Sequence, residues 1–361
     1  MLYFILILNI LPLNVSAYSA KSSIVMDIDS GRILYNNNKD DRRLIASITK
    51  IMTCIVVLEN ENIEKEVVVG DEVRSMYGTN IYLETGEKIR IKDLLYGLML
   101  RSGNDAAITL AVNTLGYDVF VAKMNECAIK IGMKNTFFEN PHGLDDDTKN
   151  YSSAYDMALL ARYAYKNKIY RQIISTKKYV AKSSIKSYVW YNRMSLLSKY
   201  KNCVGGKNGY TPKAGKTLVS YAEKENMKLL IVSLNDSDIY SNHHEMYKVY
   251  FEKYKNYIIV DKKTFNMFPI DKKKELYYVK KSFKYPLLES ELNQVKILAK
   301  ISSEKTEGCV GKLIIKLNNE KIGDLNIYKK SSKKKKDKSF LNRLVNLFIG
   351  KSIEINRWPA K

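Results

Sequence analysis

Histidine is scarce in this chain of 361 residues, which has three histidines and no G-x-S-x-G sequence. The commoner serine-hydrolase machinery, in which histidine serves a serine on a nucleophile elbow, is therefore excluded. The four cysteines are far apart and irregularly spaced, so they indicate no metal site and leave any disulfide pairing open. We accordingly expect neither a metal nor a cofactor.

Acidic residues are outnumbered in this sequence, with 38 Asp and Glu against 60 Lys and Arg, and the net charge is +22 at pH 7. Such a charge favours an anionic partner, which could be nucleic acid, an anionic membrane face or a cell-wall polymer. The sequence contains no zinc-finger spacing, no Gly-rich phosphate loop and no aromatic RNA-binding motif. We therefore expect no nucleic acid partner.

The N-terminus has the pattern of an export signal. Residues 2–13 are almost wholly apolar and precede the small-residue sequence Val15-Ser16-Ala17, although no Lys or Arg comes before them. The apolar stretch is too short to cross a bilayer. It predicts a signal peptide over residues 1–20 and a mature protein that works outside the cytoplasm; a buried N-terminal segment is the alternative.

The rest of the chain alternates between strand and helix patterns. Residues 22–35 predict a β-hairpin, helices are expected between about 46 and 165, and strands return between 204 and 234 before a helix at 244–254. Strands at both ends with helices between them indicate a sheet whose first and last strands meet. We predict one large domain over 21–256 and a small all-β domain over 257–330.

Three short motifs then stand in a fixed order: S-x-x-K from Ser47 to Lys50, S-x-N from Ser102 to Asn104, and Lys207-Asn208-Gly209. Ser47 and Lys50 are three residues apart on a predicted helix, so the lysine can reach the hydroxyl. To accept a proton near neutral pH, that lysine needs its pKa lowered by burial or by another cation, for which Lys207 is the candidate. The combination predicts acyl transfer through a serine activated by lysine.

The sequences around these motifs resemble those of serine-type D-alanyl-D-alanine carboxypeptidases, the low-molecular-mass penicillin-binding proteins. Supporting stretches are residues 44–53, 98–107, 140–145, 155–161 and 209–215. The resemblance implies an α/β (α+β) fold of the penicillin-binding-protein and β-lactamase type, in which helices flank an antiparallel sheet, with a small C-terminal all-β domain. It also implies peptidoglycan stem peptides as substrate, β-lactams as covalent inhibitors, and a site at the outer face of the bacterial cytoplasmic membrane or cell wall.

The same resemblance suggests a role for each motif residue. Ser47 would attack the carbonyl between two D-alanines, Lys50 would be the base, and Ser102 would relay a proton while Asn104 orients Lys50. Lys207 and the residues after it, Asn208, Gly209 and Tyr210, would bind substrate. The backbone N–H groups of Ser47 and Tyr210 would then form the oxyanion hole.

One residue departs from the family pattern, because Asn208 stands where relatives carry threonine. This leaves open a non-catalytic wall-binding homologue, and the shared nucleophile leaves open a D,D-endopeptidase or a β-lactamase. An E-x-x-L-N string at Glu289 matches the deacylating glutamate of class A β-lactamases, but it follows the third motif, and we interpret it as coincidence. Arg193 is a weaker candidate for a substrate-carboxylate contact.

The remaining histidines and the C-terminus complete the set of expectations. His142 is expected to be a loop histidine with a structural hydrogen bond, and the run from His243 to Glu245 to be a solvated helix start instead of a metal site. Residues 331–361 combine the basic run Lys333 to Lys336 with an apolar helical face between Phe340 and Phe348. This pattern predicts an amphipathic anchor on an anionic membrane surface, with a disordered tail as the alternative.

Overall fold

The computed structural model describes residues 18–147, 149–265, 277–301, 308–329 and 353–354. Three predicted segments lie outside the described residues: the export signal up to residue 17, the basic run Lys333 to Lys336, and the amphipathic segment from Phe340 to Phe348. Within the described residues, no helix combines the length and the apolar character that a membrane crossing requires.

The helices and strands of the described residues are as follows. The helices are α1 (Lys50–Asn60), α2 (Ile91–Tyr96), α3 (Asn104–Thr114), α4 (Tyr117–Ile131), α5 (Ala154–Ala164), α6 (Lys168–Ser175), α7 (Leu196–Lys199) and α8 (Ile239–Lys253). The strands are β1 (Ser22–Asp27), β2 (Ile33–Asn37), β3 (Arg43–Leu44), β4 (Glu66–Val68), β5 (Lys88–Arg90), β6 (Tyr151–Ser152), β7 (Lys178–Lys182), β8 (Ser187–Tyr191), β9 (Cys203–Thr211), β10 (Gly215–Lys224), β11 (Met227–Leu234), β12 (Lys255–Val260), β13 (Tyr277–Val279), β14 (Phe283–Leu287), β15 (Val295–Ile301), β16 (Gly308–Leu317), β17 (Glu320–Lys329) and β18 (Ile353–Glu354).

The chain divides into two compact units. The first contains the described residues up to 26 together with 33–222 and 229–247, and the second contains 27–32, 223–228 and the described residues from 248 onward. Two hairpin turns of the first unit's sheet are thus grouped with the second unit. The domain boundaries expected from the sequence, 21–256 and 257–330, stay predictions.

A five-stranded sheet organises the first unit, with strand order β2-β1-β11-β10-β9. The predicted hairpin is present as the antiparallel pair β1 and β2. Strand β1 lies beside β11, so the first and last strands of the unit meet as the sequence indicated. Among the described residues β9 has a strand partner on one side only, which leaves the strand of the third motif at the sheet edge.

The first two motifs lie where helical segments of the first unit begin or end. A 3-10 turn, Ala46–Thr49, precedes α1, whose residues from Lys50 to Val57 are all buried. Helix α2 continues into a π-helical turn, Gly97–Arg101, which ends where Ser102 adopts a left-handed backbone with φ of 66°. Because α3 starts at Asn104, the Ser102-Gly103 pair forms a short connection between two helical segments.

The described residues of the second unit are all-β apart from the end of α8 and a 3-10 turn, Glu289–Gln294. Its five-stranded sheet has the order β13-β17-β16-β15-β18, and β12 pairs with β14. Buried aliphatic side chains form its core: Val260, Val279, Ala299, Val310, Leu313, Ile315 and Ile327. The E-x-x-L-N string lies in the 3-10 turn, where the Glu291 carboxylate accepts a hydrogen bond of 2.9 Å from Arg32.

The expectation of a solvated start for α8 is wrong at His243. This side chain is fully buried, and its Nδ1 and Nε2 lie 2.7 Å and 2.9 Å from the hydroxyls of Ser220 and Ser233. Burial lowers the pKa of His243 to about 3, so the ring is neutral at physiological pH. The period of α8 turns His243 toward the sheet, whereas His244 and Glu245 are exposed.

Candidate active site

Ser47 and Lys50 meet at the junction between the 3-10 turn and α1. Ser47 lies within the turn and Lys50 is the first residue of the α-helix. The three-residue spacing brings Lys50 Nζ to 3.0 Å from Ser47 Oγ. The candidate nucleophile and candidate base are therefore within hydrogen-bonding distance of each other, which is the geometry that proton transfer requires.

Lys50 has two further partners, both of them oxygens that accept hydrogen bonds. Its Nζ donates to Asn104 Oδ1 at 2.8 Å and to the His142 carbonyl oxygen at 2.5 Å. The Asn104 amide is oriented by its own Nδ2, which donates to the Tyr77 carbonyl at 2.7 Å. The lysine is fully buried, so these three oxygens take the place of water around the amine.

This partner set suits a lysine that changes its protonation state. An ammonium group has three N–H donors, and each of the three oxygens accepts one of them. A neutral amine has two N–H donors and one lone pair, and only Ser47 among these partners can donate a proton to that lone pair. The neutral form therefore directs its lone pair at the serine hydroxyl, as a general base for that serine must.

The surroundings of Lys50 favour this neutral form. Burial lowers the pKa of Lys50 well below its usual range, the charge of Lys207 lowers it further, and the Asp105 carboxylate opposes both effects. Asp105 is itself buried and accepts hydrogen bonds of 3.0 Å and 3.1 Å from the backbone N–H groups of Ile81 and Leu83. It thus fixes the loop before β5 to the start of α3, where Asn104 lies.

Lys207 and Ser102 form a second lysine–serine pair. Lys207 Nζ donates to Ser102 Oγ at 3.0 Å and to the carbonyl oxygen of Asn208 at 2.6 Å. Burial, and then the charge of Arg193, lowers the pKa of Lys207 to about 7. Arg193 is exposed, and its Nη1 lies 3.4 Å from Thr79 Oγ1. The cleft therefore has a cationic side formed by Lys207 and Arg193.

Gly209 brings strand β9 against the backbone of Ser47. A Cβ atom at this position would lie 2.6 Å from the Ser47 backbone nitrogen and 2.7 Å from Thr217 Oγ1, so no side chain fits without movement. Thr217, opposite Gly209 on β10, donates to the Ile45 carbonyl at 3.1 Å and fastens the strand to the residue before the 3-10 turn. Tyr210 follows at the edge strand with its side chain exposed.

The sequence-predicted residues thus form two groups, of which the first is Ser47, Lys50 and Asn104 and the second is Lys207 and Ser102. The charge of Lys207 couples the two groups through the pKa of Lys50. Asn208 takes part through its carbonyl oxygen, while strand alternation directs its side chain to the same face of β9 as that of Tyr210.

The loop from Asn140 to Leu144 is the part of the site that motif chemistry alone missed. The His142 carbonyl is a direct partner of Lys50, and Nδ1 of the same histidine accepts the Leu144 N–H at 3.1 Å, which is the structural hydrogen bond that was expected. Gly143 allows the close approach, since its φ is +90° and a Cβ would lie 2.1 Å from the Ala46 carbonyl oxygen. The N-P-H-G-L-D string marked this loop but not its function.

Comparison with known proteins identifies the family. A family profile described as D-alanyl-D-alanine carboxypeptidase, of peptidase family S11, matches residues 12–238, which is more than half of the chain. The chain belongs to this family. A curated member, DacF of Bacillus subtilis, is 37% identical over 224 residues, which are 60% of this chain and 57% of DacF. DacA of Escherichia coli is 33% identical over 228 residues, which are 58% of this chain and 55% of DacA. The chain therefore matches little more than half the length of these two relatives.

Solved structures of related proteins extend the match to most of the chain. Penicillin-binding protein 5 from Haemophilus influenzae is 25% identical, with a TM-score of 0.71 over 86% of this chain and 96% of that protein. A penicillin-binding protein homologue from Mycobacterium tuberculosis is 30% identical, with a TM-score of 0.63 over 65% of this chain and 92% of that protein. The predicted fold, a penicillin-binding-protein type with a small C-terminal all-β domain, is confirmed.

Proposed function

We propose that this chain is an exported serine D,D-carboxypeptidase that removes the terminal D-alanine from peptidoglycan stem peptides. The observation that supports it most is the fully buried Lys50, whose Nζ lies 3.0 Å from Ser47 Oγ and whose other partners can only accept hydrogen bonds. Membership of the S11 family supports the reaction class. DacF and DacA are D-alanyl-D-alanine carboxypeptidases by name, and the substrate that this name states is proposed for this chain by that relationship.

The reaction would proceed in two steps. Neutral Lys50 takes the hydroxyl proton as Ser47 Oγ attacks the carbonyl between the two D-alanines, and the negative charge gathers on the carbonyl oxygen. The C–N bond then breaks as the proton that Lys50 took passes, with Ser102 as the relay in this proposal, to the departing D-alanine nitrogen. Lys50 is neutral again, and an ester remains on Ser47. A water molecule then gives one proton to the base while its oxygen attacks the ester, which frees the shortened peptide and restores Ser47.

The backbone around Ser47 would stabilise the tetrahedral intermediate. Ser47 lies in the first turn of a helical segment, where N–H groups lack intrahelical partners. The N–H groups of Ser47 and Tyr210 form the oxyanion hole in this proposal, and Gly209 gives the strand the closeness to Ser47 that such a pair needs. Each such donor typically contributes about 10²–10³-fold to the rate.

The cationic side of the cleft would hold the free carboxylate of the substrate. Arg193 is close enough to Lys207 for its charge to lower the pKa of that lysine. A bound carboxylate relieves this repulsion, so it favours the charged form of Lys207. A substrate that ends in a carboxylate would therefore bind better than one that ends in an amide.

Mass spectrometry of penicillin-treated protein tests the proposal directly. We expect one penicilloyl adduct on Ser47, none in Ser47→Ala, and a normal adduct in the control Ser198→Ala, which removes an exposed hydroxyl from α7. Release of D-alanine from a stem pentapeptide would establish the activity. An adduct that survives Ser47→Ala would contradict the proposal.

A non-catalytic wall-binding protein is the second candidate, and Asn208 in place of threonine is what favours it. The variant Asn208→Thr separates the two. A large rise in D-alanine release from a low starting rate would indicate a weakened enzyme, whereas no release in either form would favour the binding protein. Rapid release of opened penicillin, or cleavage of cross-linked peptide dimers, would favour a β-lactamase or a D,D-endopeptidase.

We also propose that the protein acts at the outer face of the bacterial cytoplasmic membrane. The export pattern in residues 1–20 and the basic, amphipathic pattern of residues 331–361 support this placement. Fractionation of producing cells tests it. The intact chain should be found with the membrane and be cut by protease added outside, and a chain that ends at residue 330 should be bound more weakly, with a larger share in the soluble fraction.

A further inference from the structure

The outer face of the second unit's sheet carries lysines in an unusual arrangement. On β15 and β16 the register sets Lys300 directly opposite Lys312 and Lys296 directly opposite Lys316. Residues that alternate with these lysines, among them Ala299, Leu313 and Ile315, lie in the core. All four lysines therefore project from the face that points away from the core.

Like charges directly opposite each other on neighbouring strands destabilise a sheet. Neither β15 nor β16 contains an Asp or Glu that could offset the lysines. On β17, Lys321 lies opposite Lys316 and forms an ion pair with Asp324, and Glu354 of β18 stands in register with Leu298. On the face of β15, β16 and β17 that points away from the core, lysines therefore outnumber acidic residues, an excess that an anionic partner would offset.

We propose that this lysine face, formed by Lys296, Lys300, Lys312, Lys316 and Lys321, rests on a membrane surface rich in anionic lipid headgroups. The apolar centre of the lysine face favours a membrane over a soluble anionic polymer. Half-buried Leu298 and Ile314 form a cross-strand pair between the two pairs of lysines. A ring of cations around an apolar centre suits headgroup phosphates above the acyl boundary.

A tyrosine pair at the side of the lysine face also favours a membrane. The rings of Tyr278 and Tyr328 stack with centroids 5.6 Å apart, and Lys280 Nζ lies 4.1 Å from the Tyr328 centroid. Strand alternation puts Tyr328 on the same face as Asp324, and so beside the lysines. Tyrosine is enriched where proteins meet the headgroup region, because its ring is apolar and its hydroxyl polar.

The chain that follows β17 supports the same partner. Strand β17 ends at Lys329, four residues before the basic run that begins at Lys333. Four residues span about 14 Å at most, so the length of the chain limits how far the basic run can begin from the end of β17. The lysine face would then be a second membrane contact, independent of the amphipathic segment and of the proposed catalytic activity.

Vesicle sedimentation with the full chain tests the proposal. In Lys300→Glu/Lys312→Glu, binding to vesicles of one part phosphatidylglycerol and three parts phosphatidylcholine should fall about thirtyfold or more, since each basic residue near such a surface contributes about fivefold. The matched control is Lys134→Glu/Lys182→Glu, which makes the same change in net charge at two exposed lysines of the first unit. We expect this control to change binding much less than Lys300→Glu/Lys312→Glu does, because neither Lys134 nor Lys182 belongs to the lysine face.

A single variant and a soluble anionic polymer complete the test. The single variant Lys300→Glu turns a like-charge pair into an opposite-charge pair, so it should weaken vesicle binding while it stabilises the sheet, and a folding defect cannot explain that combination. Equal losses in the two double variants would show that only net charge matters and would overturn the proposal. Unchanged vesicle binding, with lost binding to soluble polyphosphate, would overturn it in favour of a polymer.

Discussion

The lysines of the first unit's cleft and the lysines of the second unit's sheet are in opposite surroundings. Lys50 and Lys207 are fully enclosed, and each is held by oxygens at hydrogen-bonding distance. Lys300 and Lys312 are exposed and stand opposite each other with water around them. All four residues are lysines. Burial changes the acid–base chemistry of Lys50 and Lys207, whereas Lys300 and Lys312 act at the surface only as positive charges.

The difference lies in what can compensate a positive charge. In the cleft the charge has no bulk water near it, so burial lowers the pKa of both lysines, and the neutral amine of Lys50 becomes available as a base. On the sheet face water screens the charge, so a cluster of lysines costs little folding stability and stays available to a partner. The number of lysines in the sequence is therefore less informative than their position.

Removal of the enclosed amine should have the largest effect. In Lys50→Gln the side chain keeps a polar end but has no group basic enough to take the Ser47 proton, so acylation by penicillin should slow about 10²–10⁴-fold. Stopped-flow or mass-spectrometric acylation rates measure this, with the exposed Lys130→Gln on α4 as the control. A rate within threefold of the wild type would show that Lys50 is not the base.

The close approach of strand β9 to the Ser47 backbone should not tolerate a side chain at Gly209. Gly209→Ala puts a methyl group 2.6 Å from the Ser47 backbone nitrogen, so strand and nucleophile must move apart. A displacement of about 1 Å costs about 10²-fold in rate. Acylation rates should show this loss while the circular dichroism spectrum stays unchanged. An alanine variant as fast as the wild type would mean that this approach is not needed.

The pH dependence of acylation should separate the two cleft lysines. As pH falls, protonation of Lys50 removes the base and the rate falls. As pH rises through about 7, Lys207 loses its proton and the cationic side weakens, so the rate falls again. Lys207→Arg keeps the charge at all these pH values and should abolish the alkaline limb, while the different shape of arginine lowers the peak rate. An alkaline limb that is unchanged in Lys207→Arg would assign it to another group.

Much of the candidate site and of the first unit's sheet could be predicted from the sequence, because both follow from local patterns. The S-x-x-K spacing fixed the contact of Ser47 with Lys50 through helical geometry, and the order of strands predicted that β1 and β11 meet. The hairpin β7–β8 and helix α6 were missed. Alternation in β7 and β8 is weak, since Val180 and Val189 are exposed on the polar face, and it gave no strand signal.

Contacts between distant segments could not be predicted in the same way. The His142 carbonyl reaches Lys50 across 92 positions of the chain, and a backbone carbonyl has no residue-specific signal. Burial of His243 depends on which face of α8 meets the sheet. The polar neighbours His244 and Glu245 gave the segment the pattern of a solvated one. The like-charge pairs of β15 and β16 needed the strand register, which spacing alone does not give.

The smallest predicted effect belongs to the exposed lysines. Lys300→Glu gives Lys312 an opposite charge across the strand and should stabilise the second unit's sheet by about 0.2–1 kcal/mol. Hydrogen exchange at the amide of Leu313, the core residue beside Lys312, measures this locally without requiring the two units to unfold together. Lys182→Glu is the control, because its cross-strand neighbour is the uncharged Ser187. Equal protection in wild type and Lys300→Glu would mean that water already screens the lysine pair, and an excess of charge on this face would then cost the fold nothing.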